Sequence, residues 1–378
     1  MKSIHDLLEI AIRNRASDLI IKAGAPPSLR VDGRIKITEM EPLTEQETQE
    51  LGYSIIYSAA RDTLLHRAEK EPSPDLTDGD DADYKMRELE NQAEIDLVFT
   101  IRHLARVRAN LFLQRGAVGA ALRIIPLHPY TIDELNLPPI LKEIAMKPQG
   151  LVIITGPTGS GKTTTMAALI EEINRHRPCN IFTVEEPIEY VFTDNQCVIH
   201  QREVGSDTRS FSAALRSVTR QSPDVIAIGE LRDAETMDVA ITASEIGHLV
   251  ITTLHTTSAT GTVERIINSF PIHMHRQVAE QLASSLLCIT SQRLVHRATG
   301  IGRLPAVEVM NNSPTIKKQI EAGEHGELYA SIREGQHFGM NTMNQALEKL
   351  YQSKQVTFEE AMLYAGNEQE LRQLLRRN

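Results

Sequence analysis

The middle of the chain carries four short runs that are apolar at nearly every position: 151–155, 180–184, 225–228 and 249–254. A run that is apolar on both faces suits a strand covered on both sides, as in a parallel sheet. Helical patterns separate the runs. After the first of them, Met166, Leu169, Ile170 and Ile173 recur at helical spacing. This alternation predicts a doubly wound or RecA-like parallel sheet, an architecture that takes its ligands at the strand ends.

The preceding region has a different rhythm. Ile4, Leu7, Leu8, Ala11 and Ile12 form the apolar face of a first helix. A short strand is expected at 18–22, a turn at 23–27, and a hairpin within 29–37 around Asp32-Gly33. Residues 43–65 read as mostly helical, opened by Thr44 with Glu47 three residues on, a capping-box pattern. Alternating strands follow at 95–100, 105–113 and 119–125, so this part predicts a small antiparallel sheet with helices. Between helix and strands, 71–83 holds six acids, two prolines and no base. It reads as a solvated, mobile loop within an acidic insertion over 71–94, with an acidic binding site as the alternative. Pro126, Pro129, Pro138 and Pro139 mark a linker over 126–139. The domains are therefore 1–125 and 140–378. Beyond Thr257 helices are expected with a few strands, and the last 40 residues form a helical tail.

Composition narrows the function classes. The 378 residues leave room for two cores, and no apolar run is long enough to cross a membrane. The charged N-terminus does not read as a signal peptide. A net charge of −10 argues against a nucleic-acid partner, although a local basic patch stays open. Arg102, Arg106, Arg108, Arg115 and Arg123 are either separately solvated or joined in one cationic face. The three cysteines, Cys179, Cys197 and Cys288, are far apart and suggest neither a zinc motif nor a disulfide framework, so a reducing cytoplasm is the simplest compartment.

The chemistry concentrates after the first apolar run. Gly156-Pro157-Thr158-Gly159-Ser160-Gly161-Lys162-Thr163 fits the phosphate-binding pattern G-x-x-x-x-G-K-[ST] without mismatch, and Thr164 continues into a helix. Glycines let backbone N–H groups close around phosphate oxygens, and the helix start adds positive potential. Lys162 supplies a charge for the β- and γ-phosphates, and the Thr163 hydroxyl can ligate Mg²⁺. Three more clusters sit at strand ends. Glu185, Glu186 and Glu189 suit metal binding or base work, or else form a plain acidic loop. Residues 225–233, VIAIGELRD, show the Walker B pattern, with Glu230 near Mg²⁺ or its water. His248 and His255 bracket the last strand and are candidates to sense the γ-phosphate, though single histidines are usually structural.

The Walker loop, VEEPIE, GELRD and GHLVITTLHT, in this order and spacing, resemble the secretion ATPase superfamily. Within it the chain is most similar to type IV pilus retraction ATPases of the PilT/PilU type. SDLIIKAGAPPSLRVDGRI, HLARVRANLFLQRGAVGAALRIIP, CVIHQREVGSDTRSF and FGMNTMNQAL extend the likeness over nearly the whole chain.

The resemblance implies a PAS-like α+β domain, then a RecA-like P-loop domain with a helical tail, in a homo-hexameric ATP-hydrolysing motor for pilus retraction and twitching. Glu189 then matches the glutamate that polarises the attacking water, Glu230 the Walker B glutamate beside Mg²⁺, and His255 the histidine-box residue. Arg108 and Arg123 match arginines that reach the phosphates. The implied partners are an inner-membrane pilus platform protein and a paralogous pilus ATPase, with the chain cytoplasmic and peripheral to that membrane. Two departures stand out: Glu186 replaces the family's usual Asp, and 315–320 reads TIKKQI where AIRNLI is often found. Neighbouring readings are a pilus-assembly or type II secretion ATPase, an accessory nucleotide-binding subunit with weak hydrolysis, and a DNA translocase. The assembly and secretion branch typically carries a four-cysteine zinc element, which this chain lacks.

Overall fold

The computed structural model describes residues 3–68, 78–101 and 104–376, without the side chains of 62–68 and 78–80. The chain divides into two compact units, Met1–His128 and Pro129–Asn378.

The first unit runs α1 (Ile4–Arg13), β1 (Ala16–Ile21), β2 (Ser28–Val31), β3 (Arg34–Ile37), α2 (Glu45–Ala68), α3 (Asp78–Gln92), β4 (Glu94–Ile101), β5 (Ala105–Gln114) and β6 (Ala117–Ile125). Its strands form a six-stranded antiparallel sheet in the order β3-β2-β1-β6-β5-β4 among the described residues. Asp32 and Gly33, with φ of 51° and 83°, turn the β2–β3 hairpin. Both angles lie in the left-handed region that a two-residue type I′ turn requires. The Thr44 box is present: Thr44 N–H donates to Glu47 Oε2 at 2.8 Å, and Glu47 N–H donates to Thr44 Oγ1 at 3.2 Å. Period-two alternation buries Val107, Ala109 and Leu111 of β5 under Leu7, Leu8, Ile55 and Ile56 of the helices.

The acidic insertion differs from the loop expected for it. Its 71–77 portion lies outside the described residues, but Asp78–Gln92 is a helix. Acid count misled because Ala82 and Leu89, two helical turns apart, are buried in the core of this unit. A Lys85–Asp81 ion pair at 2.8 Å adds support along the helix.

The second unit runs α4 (Ile140–Ala145), β7 (Gly150–Thr155), α5 (Lys162–His176), β8 (Asn180–Glu185), β9 (Val198–Glu203), α6 (Phe211–Val218), β10 (Val225–Ile228), α7 (Ala234–Glu245), β11 (Leu249–Leu254), α8 (Ala259–Asn268), α9 (His275–Ser285), β12 (Leu286–His296) and β13 (Arg303–Asn311). The tail follows as α10 (Pro314–Ala322), α11 (Leu328–Glu334), α12 (Met343–Gln352), α13 (Phe358–Leu363) and α14 (Glu368–Arg376). The sheet order is β13-β12-β7-β11-β10-β8-β9, parallel except for β12–β13. β7, β10 and β11 are buried at every position, as continuous apolar runs demand. Ile132 and Leu137, from the proline-marked stretch, are buried against residues of β7 and α5.

Two buried features escaped the pattern reading. Glu308 on β13 accepts from the first N–H of α8 (Ala259, 2.7 Å) and of α12 (Met343, 3.2 Å), and burial pushes its carboxyl above the usual range. Cys179 and Cys197, read as far apart, bring their sulfurs to 3.4 Å because they precede the paired strands β8 and β9. Burial pushes the Cys179 thiol up to about 12, so it stays a neutral thiol.

Candidate functional site

β7 ends at Thr155, and the chain turns sharply through Gly156 at φ 145° into the glycine loop. A Cβ on Gly156 would stand 2.5 Å from the Gln292 carbonyl oxygen, so only glycine fits there. Gly161 holds a left-handed φ of 90° as α5 starts, with no side chain among the described residues capping the helix. The first-turn N–H groups of α5 are thus donors for an anion, and the helix dipole favours one. Ser160 Oγ is buried without a hydrogen-bond partner among the described residues, a further donor in the loop.

Gln292, in the middle of β12, fastens this loop. Its Nε2 donates to the Ser160 carbonyl at 2.7 Å, and its Oε1 accepts from Thr165 Oγ1 at 3.0 Å. Its sequence context, a polar residue in a mixed run ITSQRL, carries no local signal of that role.

Lys162 Nζ lies 2.9 Å from the Gly156 carbonyl, 3.2 Å from that of Pro157 and 3.3 Å from His255 Nδ1. Burial lowers its pKa, and the negative Glu230 opposes that shift. The other His255 nitrogen, Nε2, lies 3.4 Å from Glu230 Oε1. Arg232 joins Glu230 at 3.2 Å to Glu186, with its guanidinium 5.9 Å from the Phe211 ring centre. Lys162, Glu230 and His255 therefore meet at the C-terminal edge of β7, β10 and β11, as the strand-end argument expects.

The three carboxylates after β8 have separate surroundings. Glu185 is buried, takes hydrogen bonds from Thr183 Oγ1 (2.6 Å) and Gln201 Nε2 (3.2 Å), and burial raises its pKa. Glu186 pairs with Arg232. Glu189 is half-buried in the loop that leads to Tyr190, whose hydroxyl lies 3.2 Å from Thr164 Oγ1.

His248 does not join the site. It precedes β11, and its carbonyl accepts from Gly150 N–H at the start of β7. Six strand residues lie between it and His255, so seven steps of about 3.3 Å put it at the opposite end of the strand, about 23 Å away. Bracketing a strand puts two residues at opposite ends, which is the reason the pair cannot act together.

Arg108 and Arg123 are directly paired across β5 and β6, with Arg106 two residues from Arg108 on the same strand face. Arg123 Nε reaches Asp18 Oδ1 at 3.2 Å. Arg115 stands at the β5–β6 turn with φ 52°, and Arg102 lies outside the described residues. The face thus gathers Arg106, Arg108 and Arg123 among the described residues, fewer than the five considered, and Asp18 offsets part of its charge.

Comparison with known proteins identifies the family. The family model for type II/IV secretion system proteins matches residues 121–376. The chain is 37% identical to the type IV pilus ATPase PilU of Pseudomonas aeruginosa over 98% of this chain and 90% of that one. It is 38% identical to the type IV pilus retraction ATPase PilT of the same organism, over 92% and 93%. A crystal structure of the pilus retraction motor PilT with bound ADP superposes with a TM-score of 0.80 at 38% identity, covering 99% of this chain and all of that one.

Proposed function

Because the chain belongs to the type II/IV secretion system protein family, and within it to the type IV pilus retraction ATPases, we propose that it hydrolyses magnesium-bound ATP at the Gly156–Thr163 loop to drive retraction. The observation that carries this reading is the contact sequence Lys162–His255–Glu230 at 3.3 and 3.4 Å, beside uncapped first-turn donors of α5. Cation, imidazole and carboxylate meet where a γ-phosphate and its counter-ion would lie.

In this proposal Lys162 exchanges its carbonyl partners for β- and γ-phosphate oxygens. Thr163 and Glu230 offer a hydroxyl and a carboxylate, the hard oxygen donors that Mg²⁺ takes beside phosphate and water. Bound there, the metal would neutralise charge on the β- and γ-oxygens. Glu189 polarises the attacking water as a proton acceptor. His255, touching both Lys162 and Glu230, registers whether a γ-phosphate is present. Arg108 and Arg123 counter charge on that phosphate, a role that rests on the family resemblance.

The proposal includes a homo-hexamer that works against an inner-membrane pilus platform protein, alongside a paralogous pilus ATPase. Among the described residues no helix is long and apolar enough to cross a membrane, which is in keeping with attachment through partners. Phosphate release by the isolated chain, with Mg²⁺ and with EDTA, tests the reading. Steady Mg²⁺-dependent turnover supports it, and nucleotide binding without turnover would favour an accessory subunit. Glu189→Gln should keep ATP binding and lose turnover. If Glu230→Gln alone stops turnover, the two carboxylates exchange roles.

A further inference from the structure

Edge strand β9 lies outside the chemistry described so far, yet its side chains grip the acidic loop. Gln201 Nε2 donates to the Tyr190 carbonyl at 2.8 Å and to Glu185 Oε1 at 3.2 Å, while Gln201 Oε1 accepts from Phe192 N–H at 2.9 Å. Two residues on, Glu203 Oε2 accepts from Ile188 N–H at 2.9 Å. Residues 201 and 203 share a strand face, and they meet the loop at alternate positions 188, 190 and 192. The two side chains thus hold the loop backbone much as a neighbouring strand would. Glu189 sits between two of the held residues, and the buried Glu185 carboxylate accepts from its N–H. On the far side of the same loop, the buried Tyr190 hydroxyl meets Thr164 Oγ1 in the first turn of α5.

We propose that Gln201, Glu203 and Tyr190 are positioning residues for hydrolysis: they fix the backbone of Glu189 in register with the phosphate loop and act through that carboxylate without touching ATP. The inference rests on the reading of Glu189 as the group that polarises water. Orienting a nucleophile depends on placement, and a displacement of about 1 Å can cost on the order of a hundredfold in rate. Free movement of the 188–192 segment would therefore be felt in kcat before it is felt in nucleotide affinity, because Gly156–Thr163 keeps its own fastening through Gln292.

The test compares kcat, KM for ATP and ADP affinity in wild type, Gln201→Leu, Tyr190→Phe, Glu189→Gln and the Gln201→Leu/Glu189→Gln double variant, each with a thermal melt. Gln201→Leu should lower kcat about tenfold or more, with KM and ADP affinity within about twofold. Tyr190→Phe removes one hydroxyl and should lower kcat by about threefold, which keeps the inference testable if Gln201→Leu folds poorly. In the Glu189→Gln background Gln201→Leu should add no further loss, since the group it positions is already disabled. Wild-type kcat in both single variants would overturn the inference. So would a second full loss in the double variant, or equal losses in kcat and ADP affinity. Wild-type turnover in Glu189→Gln alone would instead reject the reading beneath it, a result visible without any β9 variant.

Discussion

Gln292→Leu probes whether the phosphate loop is held by the sheet or by its own turn. The substitution keeps the approximate size of the side chain and removes its amide. It leaves the Ser160 carbonyl and the Thr165 hydroxyl, now bonded at 2.7 and 3.0 Å, without those partners in a buried setting. An orphaned buried polar group costs about 1–3 kcal/mol, so the pair should cost about 2–6 kcal/mol. For a unit of this size each kcal/mol moves Tm by about 2–4 °C, which gives a fall on the order of 5–20 °C. The loss should persist or grow when ADP is present in excess, because the variant must order its loosened loop to bind and so gains no more from ADP than wild type does. Differential scanning fluorimetry without nucleotide and with saturating ADP measures both quantities. A Tm within about 1 °C of wild type in the absence of nucleotide would show that the loop does not depend on β12.

Three further outcomes are expected. Lys162→Ala should nearly abolish phosphate release while leaving the nucleotide-free melt close to wild type, since two of the three Nζ contacts are only part-buried; wild-type turnover would remove the loop from the mechanism. Gly156→Ala should destabilise by about 4 kcal/mol or more, because its Cβ meets a backbone oxygen at 2.5 Å, whereas Gly159→Ala has open space and should cost only about 1–2 kcal/mol of backbone strain; urea titration separates them. Leu89→Ala should cost about 2–5 kcal/mol in urea denaturation, as expected for a core leucine, and a negligible change would return α3 to the status of a solvated segment.

Much of the site was legible because its residues follow apolar strands directly. The glycine loop after β7 and Glu230 after β10 are fixed by local pattern, and a parallel sheet brings strand ends together. His248 was misplaced for the complementary reason: position before a strand assigns the opposite edge of the sheet, a distinction that adjacency in sequence hides. Gln292 and Gln201 were illegible because their partners lie 132 and 11 residues away for the tightest loop contacts, and neither glutamine sits in a pattern of its own. The helix at Asp78–Gln92 was obscured by charge. Ala82 and Leu89 carry its buried face, and so few apolar residues do not stand out among acids.

The central claim is that ATP hydrolysis at this site powers pilus retraction, and one cellular measurement addresses it directly. In cells whose single copy of the gene encodes Glu189→Gln, surface pili are counted and twitching is measured beside wild type. The account predicts abundant surface pili with no twitching, because filaments assemble and are not withdrawn. Cells without pili would contradict it and indicate an assembly motor, and normal twitching would show that hydrolysis by this chain does not drive retraction.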